Sequence, residues 1–311
     1  MKIVQIGTGG WGKNHCRVLS ELGVLSAVCD KDSGLAEEFG KKYSVNFYNS
    51  LETLLEKEEF DAAFICTPTI THTDIATKLI ENKKHVFVEK PLTYLSEDGQ
   101  KLVDIANKNN VVLTCGYIER FNPAVSTVKD FLTSKKYGDL IRLEFYREHR
   151  MPQHIKDVGI IYDTAVHDID TAMWLFGKTP EVVFAIAGKI NHEHEDFATI
   201  ILGFKDNKTA TISSNWITPT RVRNFNAVCT DGRIFSDFIT QEIRIETDHG
   251  TENPKNEKTE PLLGEIKNFL GAIENKNDTK VKAEQAVNVT KIAEAALLSS
   301  QKGIPIYLDI K

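Results

Sequence analysis

The chain has 311 residues, 41% hydrophobic and 26% charged, which suits about two soluble globular domains at roughly 150 residues each. A net charge of −6 argues against a non-specific nucleic-acid binder, which is normally basic, and no run approaches the ~18 apolar residues of a membrane helix. Five cysteines, at 16, 29, 66, 115 and 229, form no CxxC pair, so reduced thiols in a cytoplasmic protein are the simplest expectation.

Residues 2–6 are a short apolar run ending in glycine and read as a buried strand rather than a signal peptide. A helix over 12–22, with Val18, Leu19 and Leu22 at helical spacing, leads to a strand over 25–29, a helix over 35–41 and a strand over 45–48. Ser50 stands where it would cap a helix over 51–57. A strand over 62–66 closes on Thr67-Pro68, followed by a helix over 71–82 and a strand over 86–89. A helix over 97–109, with Ser96 as its expected cap, and a strand over 111–115 complete the series. This alternation predicts an α/β domain over 1–120, a Rossmann-type, doubly wound parallel sheet with right-handed crossovers.

From 121 to 311 the rhythm predicts a second, α+β domain. Residues 139–146 alternate, and one helix is signalled near 160–176. Strands follow over 181–187, 197–204, 209–216, 222–229, 233–238 and 242–246, with hairpin turns at Asp206-Asn207 and Asp231-Gly232. An open-faced, mainly antiparallel sheet results, and its uncovered face predicts a homodimer or homotetramer. Residues 248–261 read as a polar loop; helices over 262–275 and 284–301 and a strand over 304–308 end the chain, the final helix being free to pack back on the first domain.

Gly7-Thr8-Gly9-Gly10-Trp11-Gly12 fits GxGxxG between a strand and a helix, where free helix N–H groups and close backbone approach suit a pyrophosphate. Asp30, 23 residues after Gly7, is placed to accept from ribose hydroxyls and to repel a 2′-phosphate, favouring NAD over NADP; Lys31 beside it offsets part of that repulsion. Glu89-Lys90-Pro91 ends a strand at the edge where ligands bind in such sheets, and proline biases Lys90 towards an extended backbone. A lone lysine is normally a solvated surface group; its position at this edge makes it a candidate. Asp163, His167, Asp170 and Trp174 share one helical face, and an acid with a histidine there suggests proton transfer, against the plainer reading of a structural polar cluster.

The glycine turn, Glu89-Lys90-Pro91 and Asp163-x-x-x-His167, in that order, resemble the glucose–fructose oxidoreductase / inositol dehydrogenase / rhizopine-catabolism (Gfo/Idh/MocA) family over essentially the whole chain. Cys66-Thr67-Pro68 through His72 and the closing helices match as well. The resemblance implies an NAD-dependent dehydrogenase of a CH–OH group, with Lys90 as catalytic lysine, His167 as acid/base and Asp163 orienting substrate or histidine. It also implies that Cys66, Thr67, Pro68, His72, Glu89 and Lys90 lie along the nicotinamide half of the cofactor.

Gly116-Tyr117 through Arg120-Phe121-Asn122-Pro123 is similar to UDP-N-acetylglucosamine and UDP-N-acetylglucosaminuronate 3-dehydrogenases, with Tyr117 where many relatives carry histidine. The resemblance adds Tyr117, Arg120 and Asn122 to Lys90, Asp163 and His167 as candidate substrate contacts, and Arg147 joins them as a cation for a nucleotide sugar. Arg147, Arg150, Arg221 and Arg223 are the cations available to a diphosphate. A free sugar or cyclitol dehydrogenase, or a non-catalytic NAD sensor, is the alternative. His192 and His194, among acids, sit where a polar hairpin tip is expected, so no metal, nucleic-acid or membrane partner is indicated.

Overall fold

The computed structural model describes residues 1–152, 155 and 157–309. The chain divides into two compact units, Met1–Gly116 with Leu262–Val287, and Tyr117–Pro261 with the segment from Asn288 onward. Residues 262–287 thus count with the first unit rather than with the segment that follows 121. No described helix is long and apolar enough to cross a membrane.

In the first unit, β1 (Ile3–Ile6), β2 (Leu25–Cys29), β3 (Asn46–Tyr48), β4 (Ala62–Ile65), β5 (His85–Glu89) and β6 (Leu113–Gly116) form a parallel sheet in the order β3-β2-β1-β4-β5-β6. Every residue of β1 and β4 is buried, as a sheet covered on both faces requires. Helices α1 (Gly12–Glu21), α2 (Ser33–Tyr43), α3 (Leu51–Lys57), α4 (His72–Glu81) and α5 (Ser96–Asn109) make the crossovers. The α3 cap is as expected, Ser50 Oγ accepting from the Thr53 N–H. The α5 cap is not: Leu95 holds the cap position and Ser96 is already helical. Helix α8 (Pro261–Ile273) adds Phe269, edge-on to Phe64 at 5.3 Å and to Phe87 at 5.8 Å.

The second unit opens with α6 (Pro123–Thr133), a helix the reading above does not contain. Asn122 caps it by accepting from the Ala124 N–H, and Pro123 occupies the first helical position, where a missing N–H costs nothing. The sheet runs β14-β13-β12-β11-β7-β10-β9-β8-β15. Its strands are β7 (Leu140–Glu148), β8 (Val182–Gly188), β9 (Phe197–Phe204), β10 (Lys208–Asn215), β11 (Val222–Cys229), β12 (Gly232–Asp237), β13 (Ile243–Thr247), β14 (Gly250–Glu252) and β15 (Ile306–Tyr307). All pairings are antiparallel except β7–β10. Strand β14 lies in the segment expected to be loop. Asp206 and Asn207 form a hairpin turn with φ of 63° and 57°; the second turn is one residue earlier than expected, at Thr230-Asp231. Leu143, Phe145, Phe225, Ala227, Ala210 and Ile212 line the inner face, while Tyr146, Ile186 and Ile201 on the other face are 41%, 61% and 43% exposed. Helices α7 (Val166–Phe176) and α9 (Ala283–Lys302) complete the chain.

Candidate active site

The first unit gathers the cofactor candidates at the carboxyl ends of β1, β2, β4 and β5, where the strand order reverses between β1 and β4. Gly7 has φ +82°, and a Cβ there would collide with the Cys66 carbonyl; a Cβ on Gly12 would strike the Gly7 carbonyl. Gly9 meets nothing within 4 Å, which leaves its backbone open to a ligand. Asp30 ends β2 and is tied to the turn: its Oδ2 accepts from the Thr8 N–H at 2.7 Å and the Thr8 hydroxyl at 3.0 Å. Its Oδ1 accepts from the Asp32 N–H. Gly10 follows Gly9 in the turn, Trp11 is 46% exposed beside it, and Lys31 is exposed. An open glycine, the N-terminus of α1 and a fixed carboxylate fit the phosphates and adenosine ribose of NAD.

The loop after β4 and the end of β5 are pinned together. Thr71 Oγ1 donates to the Pro68 carbonyl and lies 2.7 Å from Thr67 Oγ1. The His72 ring spans the gap, Nε2 facing the Thr67 carbonyl and Nδ1 the Pro91 carbonyl, each at 2.9 Å. The Lys90–Pro91 peptide is cis, and Lys90 is half-buried. Burial pushes the Cys66 thiol well above its ordinary value, and Glu89 pushes the same way, so Cys66 is no thiolate nucleophile.

In the second unit, every residue from 158 to 173 is buried except Asp163 and His167. Asp163 lies in a single wide π turn, Ile161–Ala165, that opens into α7, a local widening that often accompanies function. The expected four-residue face is therefore corrected: Asp170 is fully buried, its carboxylate holding Arg120, and only Asp163 and His167 reach the surface together, with Trp174 half-buried a turn beyond. Asp163 is oriented from behind. Trp216 Nε1 donates to Thr164 Oγ1 at 3.2 Å, and the Thr164 hydroxyl donates to Asp163 Oδ2 at 3.1 Å. His149 sits near Asp163 and near Arg221 and Arg223; burial, then the arginines, keep its imidazole below the ordinary value, with Asp163 acting against them.

Several arginines take structural positions. Arg120 is 1% exposed and bidentate on Asp170, with Nη2–Oδ1 at 2.6 Å. Arg147 is equally buried, pairing with Asp168 at 2.8 Å and Glu119 at 3.2 Å and lying over the Phe238 ring. Asn122 caps α6 and donates to the Phe238 carbonyl, and Tyr117 is 1% exposed. These partners assign Arg120, Asn122 and Arg147 to the internal frame. Arg150 and Arg221 are exposed. Arg223 is half-buried, and its buried Nε has no partner among the described residues. Burial, then repulsion by Arg147 and Arg221, presses its guanidinium down to about 10, still a cation at neutral pH.

The loop between β8 and β9 supplies a residue that spacing alone does not reveal. Glu195 accepts the Ile161 N–H on its carboxylate and the Ile160 N–H on its carbonyl, anchoring the start of the π turn. Gly159 leaves room for that carboxylate, because a Cβ there would overlap it. His192 packs edge-on against Trp216, and its Nδ1 accepts from the His194 N–H. Burial raises the Glu195 carboxyl above the ordinary carboxylate range. A raised folded-state value means that the native protein favours the protonated form, so ionisation costs stability as pH rises through that value. Glu195→Gln keeps an acceptor for Ile161 without the charge. Its melting temperature is expected to equal or exceed that of the parent at neutral pH, the difference closing in acid. A variant that melts lower at neutral pH would show that the charge itself holds the turn.

Comparison with known proteins agrees with this geometry. Residues 1–117 match the model of the oxidoreductase family with an NAD-binding Rossmann fold, and residues 125–235 match the GFO/IDH/MocA C-terminal domain. The UDP-N-acetylglucosamine 3-dehydrogenase of Acidithiobacillus ferrooxidans is 26% identical over 283 residues, 88% of each chain. The myo-inositol 2-dehydrogenase of Thermotoga maritima is 24% identical over 99% of each chain. A solved structure of the Acidithiobacillus enzyme superposes with a TM-score of 0.89 at 25% identity, covering 97% of this chain and 98% of that one. With the NAD-binding turn, the Glu89-Lys90-Pro91 edge and both domain models in agreement, the chain belongs to the Gfo/Idh/MocA family of NAD-binding oxidoreductases.

Proposed function

We propose that the protein oxidises a secondary alcohol of a sugar with NAD, and that a UDP-N-acetylhexosamine or its uronate, attacked at C3, is the substrate its residues fit best. The observation that carries the chemistry is the pair Asp163 and His167, the two side chains left uncovered in a segment otherwise buried from 158 to 173. In this reading His167 accepts the hydroxyl proton, and Asp163, held by Thr164, keeps the hydroxyl or the imidazole in register. The Lys90 ammonium stabilises the alkoxide as the carbonyl forms. NAD, when bound, supplies the hydride acceptor.

Support for a nucleotide comes from Arg223, a cation with a buried unpartnered Nε among the described residues, next to Arg221 and His149 on the side of Asp163. The dehydrogenase from Acidithiobacillus, named for a UDP-sugar, supports the same choice. A free cyclitol is the second reading, favoured by the full-length match to an inositol dehydrogenase. The exposed Tyr146, Ile186 and Ile201 on one face of the sheet support self-association through that face.

The test is NADH formation followed by absorbance, with UDP-N-acetylglucosamine, its uronate, myo-inositol and common aldoses as separate substrates. Activity confined to the UDP-sugars is expected. Activity on myo-inositol alone would overturn the nucleotide assignment and keep the alcohol dehydrogenase; bound NAD without turnover of any of them would replace the enzyme with a sensor.

A further inference from the structure

His15, Cys66 and Glu89 bring an imidazole, a thiol and a carboxylate within 4.8 Å of one another inside the first unit. The group does not suit a metal. His15 Nε2 and Glu89 Oε1 stand 2.8 Å apart in a direct hydrogen bond. Two ligands at zinc's bond lengths of ~2.0–2.1 Å and a tetrahedral angle would be roughly 3.3 Å apart. The thiol, pushed far up by burial, resists the deprotonation that a metal needs.

We propose instead that His15 is a positioning residue for Lys90, acting through Glu89; the proposal rests on the reading of Lys90 as the catalytic lysine. His15 is fully buried on α1, its ring set between Phe64 and Phe87 at centroid distances of 5.4 and 5.5 Å. Its Nε2, as donor, grips Glu89 Oε1, while Nδ1 has no partner among the described residues. A leucine would fill that volume without burying an unpaired nitrogen, so the hydrogen bond to Glu89 is what the imidazole adds. The other oxygen, Glu89 Oε2, accepts from the Lys90 backbone N–H at 3.1 Å.

The carboxylate is confined on its third side as well. Gly116, opposite Glu89 on β6, has a Cβ position only 3.0 Å from the carboxyl carbon, so a side chain there would press on it. Just beyond, His72 holds the Pro91 carbonyl. Lys90 is therefore bracketed, its amide held by the His15–Glu89 pair and the following carbonyl by His72. Without His15, a carboxylate that is 7% exposed loses a charge-assisted partner and must turn towards another donor or water, releasing the Lys90 amide.

His15→Leu and His15→Gln, whose amide can donate in place of Nε2, separate this role from packing. The first readout is hydrogen exchange of the NAD-bound protein over residues 85–92. Exchange at the Lys90 amide is expected to quicken about tenfold or more in His15→Leu and to stay close to the parent in His15→Gln. The second is kinetic, with NAD and UDP-N-acetylglucosamine. In His15→Leu kcat is expected to fall about 10–100-fold, the worth of one charge-assisted hydrogen bond, with KM for NAD within about twofold. His15→Gln is expected to restore most of kcat. Parent-like exchange in His15→Leu, or a folded His15→Gln that rescues neither readout, overturns the proposal. Should His15→Leu not fold, Glu89→Gln reads the same link, with faster exchange at Lys90 expected and unchanged exchange overturning it. Full turnover in Lys90→Ala would instead overturn the catalytic reading, while the exchange measurement still decides whether His15 holds the Lys90 amide.

Discussion

Lys90→Ala is expected to lose at least ~100-fold in kcat, and His167→Ala a similar amount, the usual scale for a positioned charge or an acid–base group. The two losses have different physical origins. On the proposed mechanism, removing the ammonium takes away a positive charge where negative charge would develop on the substrate oxygen, a loss felt in the transition state more than in the bound substrate. Removing the imidazole leaves the hydroxyl proton to water. The His167→Ala loss is therefore expected to shrink at alkaline pH, where hydroxide takes over proton removal, while the Lys90→Ala loss persists. Neither change should unfold the protein, because both side chains are only half-buried, and NAD affinity should be retained in His167→Ala. Stopped-flow measurement of NADH formation, with calorimetric NAD titration as the control, checks both. Near-normal turnover in both variants would remove proton transfer at His167 and alkoxide stabilisation by Lys90 together.

The features legible in the sequence are those set by local rules. A strand, a glycine turn and a helix occupy consecutive residues, so Gly7, Gly9 and Gly12 and the acid at Asp30 can be read without knowing what packs where. The same holds for Ser50, whose capping partner is three residues away, and for the three-residue turn that contains Asp206-Asn207. Helix α6 was equally local and still escaped. The signal is Asn122-Pro123 followed by Val125 and Val128, a cap, a proline at the first helical position and an apolar face, overshadowed by the reading of Arg120-Phe121-Asn122-Pro123 as a substrate motif.

The rest depends on long-range pairing. Arg120 and Arg147 look like free cations in the sequence, and only the fold supplies Asp170, Asp168 and Glu119 as their partners. Helical periodicity puts Asp170 on the face of Asp163 and His167, but the π turn at 161–165 breaks a uniform 3.6-residue count and the buried guanidinium of Arg120 draws Asp170 inward. His15 and Glu89 are 74 residues apart, and Trp216 reaches Thr164 across 52. No spacing rule connects such pairs. What spacing offers is candidates for contact with cofactor or substrate, and what it misses is the layer that holds those residues still.

Arg147→Met tests that layer and is expected to destabilise the protein by about 3–5 kcal/mol at neutral pH, the scale of breaking a buried ion pair. Arg147 is 1% exposed in β7 and serves two carboxylates at once, Asp168 from α7 and Glu119 beside α6. Burial already raises the Asp168 carboxyl above its ordinary range, with Arg147 pulling it back down and Glu119 adding to the rise. Without the guanidinium, both carboxyls face each other with Arg223 as the nearby cation whose charge acts on them, and the native state of the variant gains most by protonating one of them. Folded-state values raised above the unfolded ones contribute stability that is present in acid and lost as pH rises through the folded value. The deficit of Arg147→Met relative to the parent should therefore be smaller near about pH 5 than near about pH 8 by ~1 kcal/mol or more, measured by urea unfolding with a shared slope. Arg147→Met combined with Asp168→Asn should recover part of the loss at the higher pH, since only one buried carboxylate then remains. An equal deficit at both pH values would mean that the guanidinium matters through packing on Phe238 rather than through charge. Because Asp168 follows His167 in the chain, its hold on β7 also fixes the first turn of α7, so the single variant should lose turnover even where it remains folded.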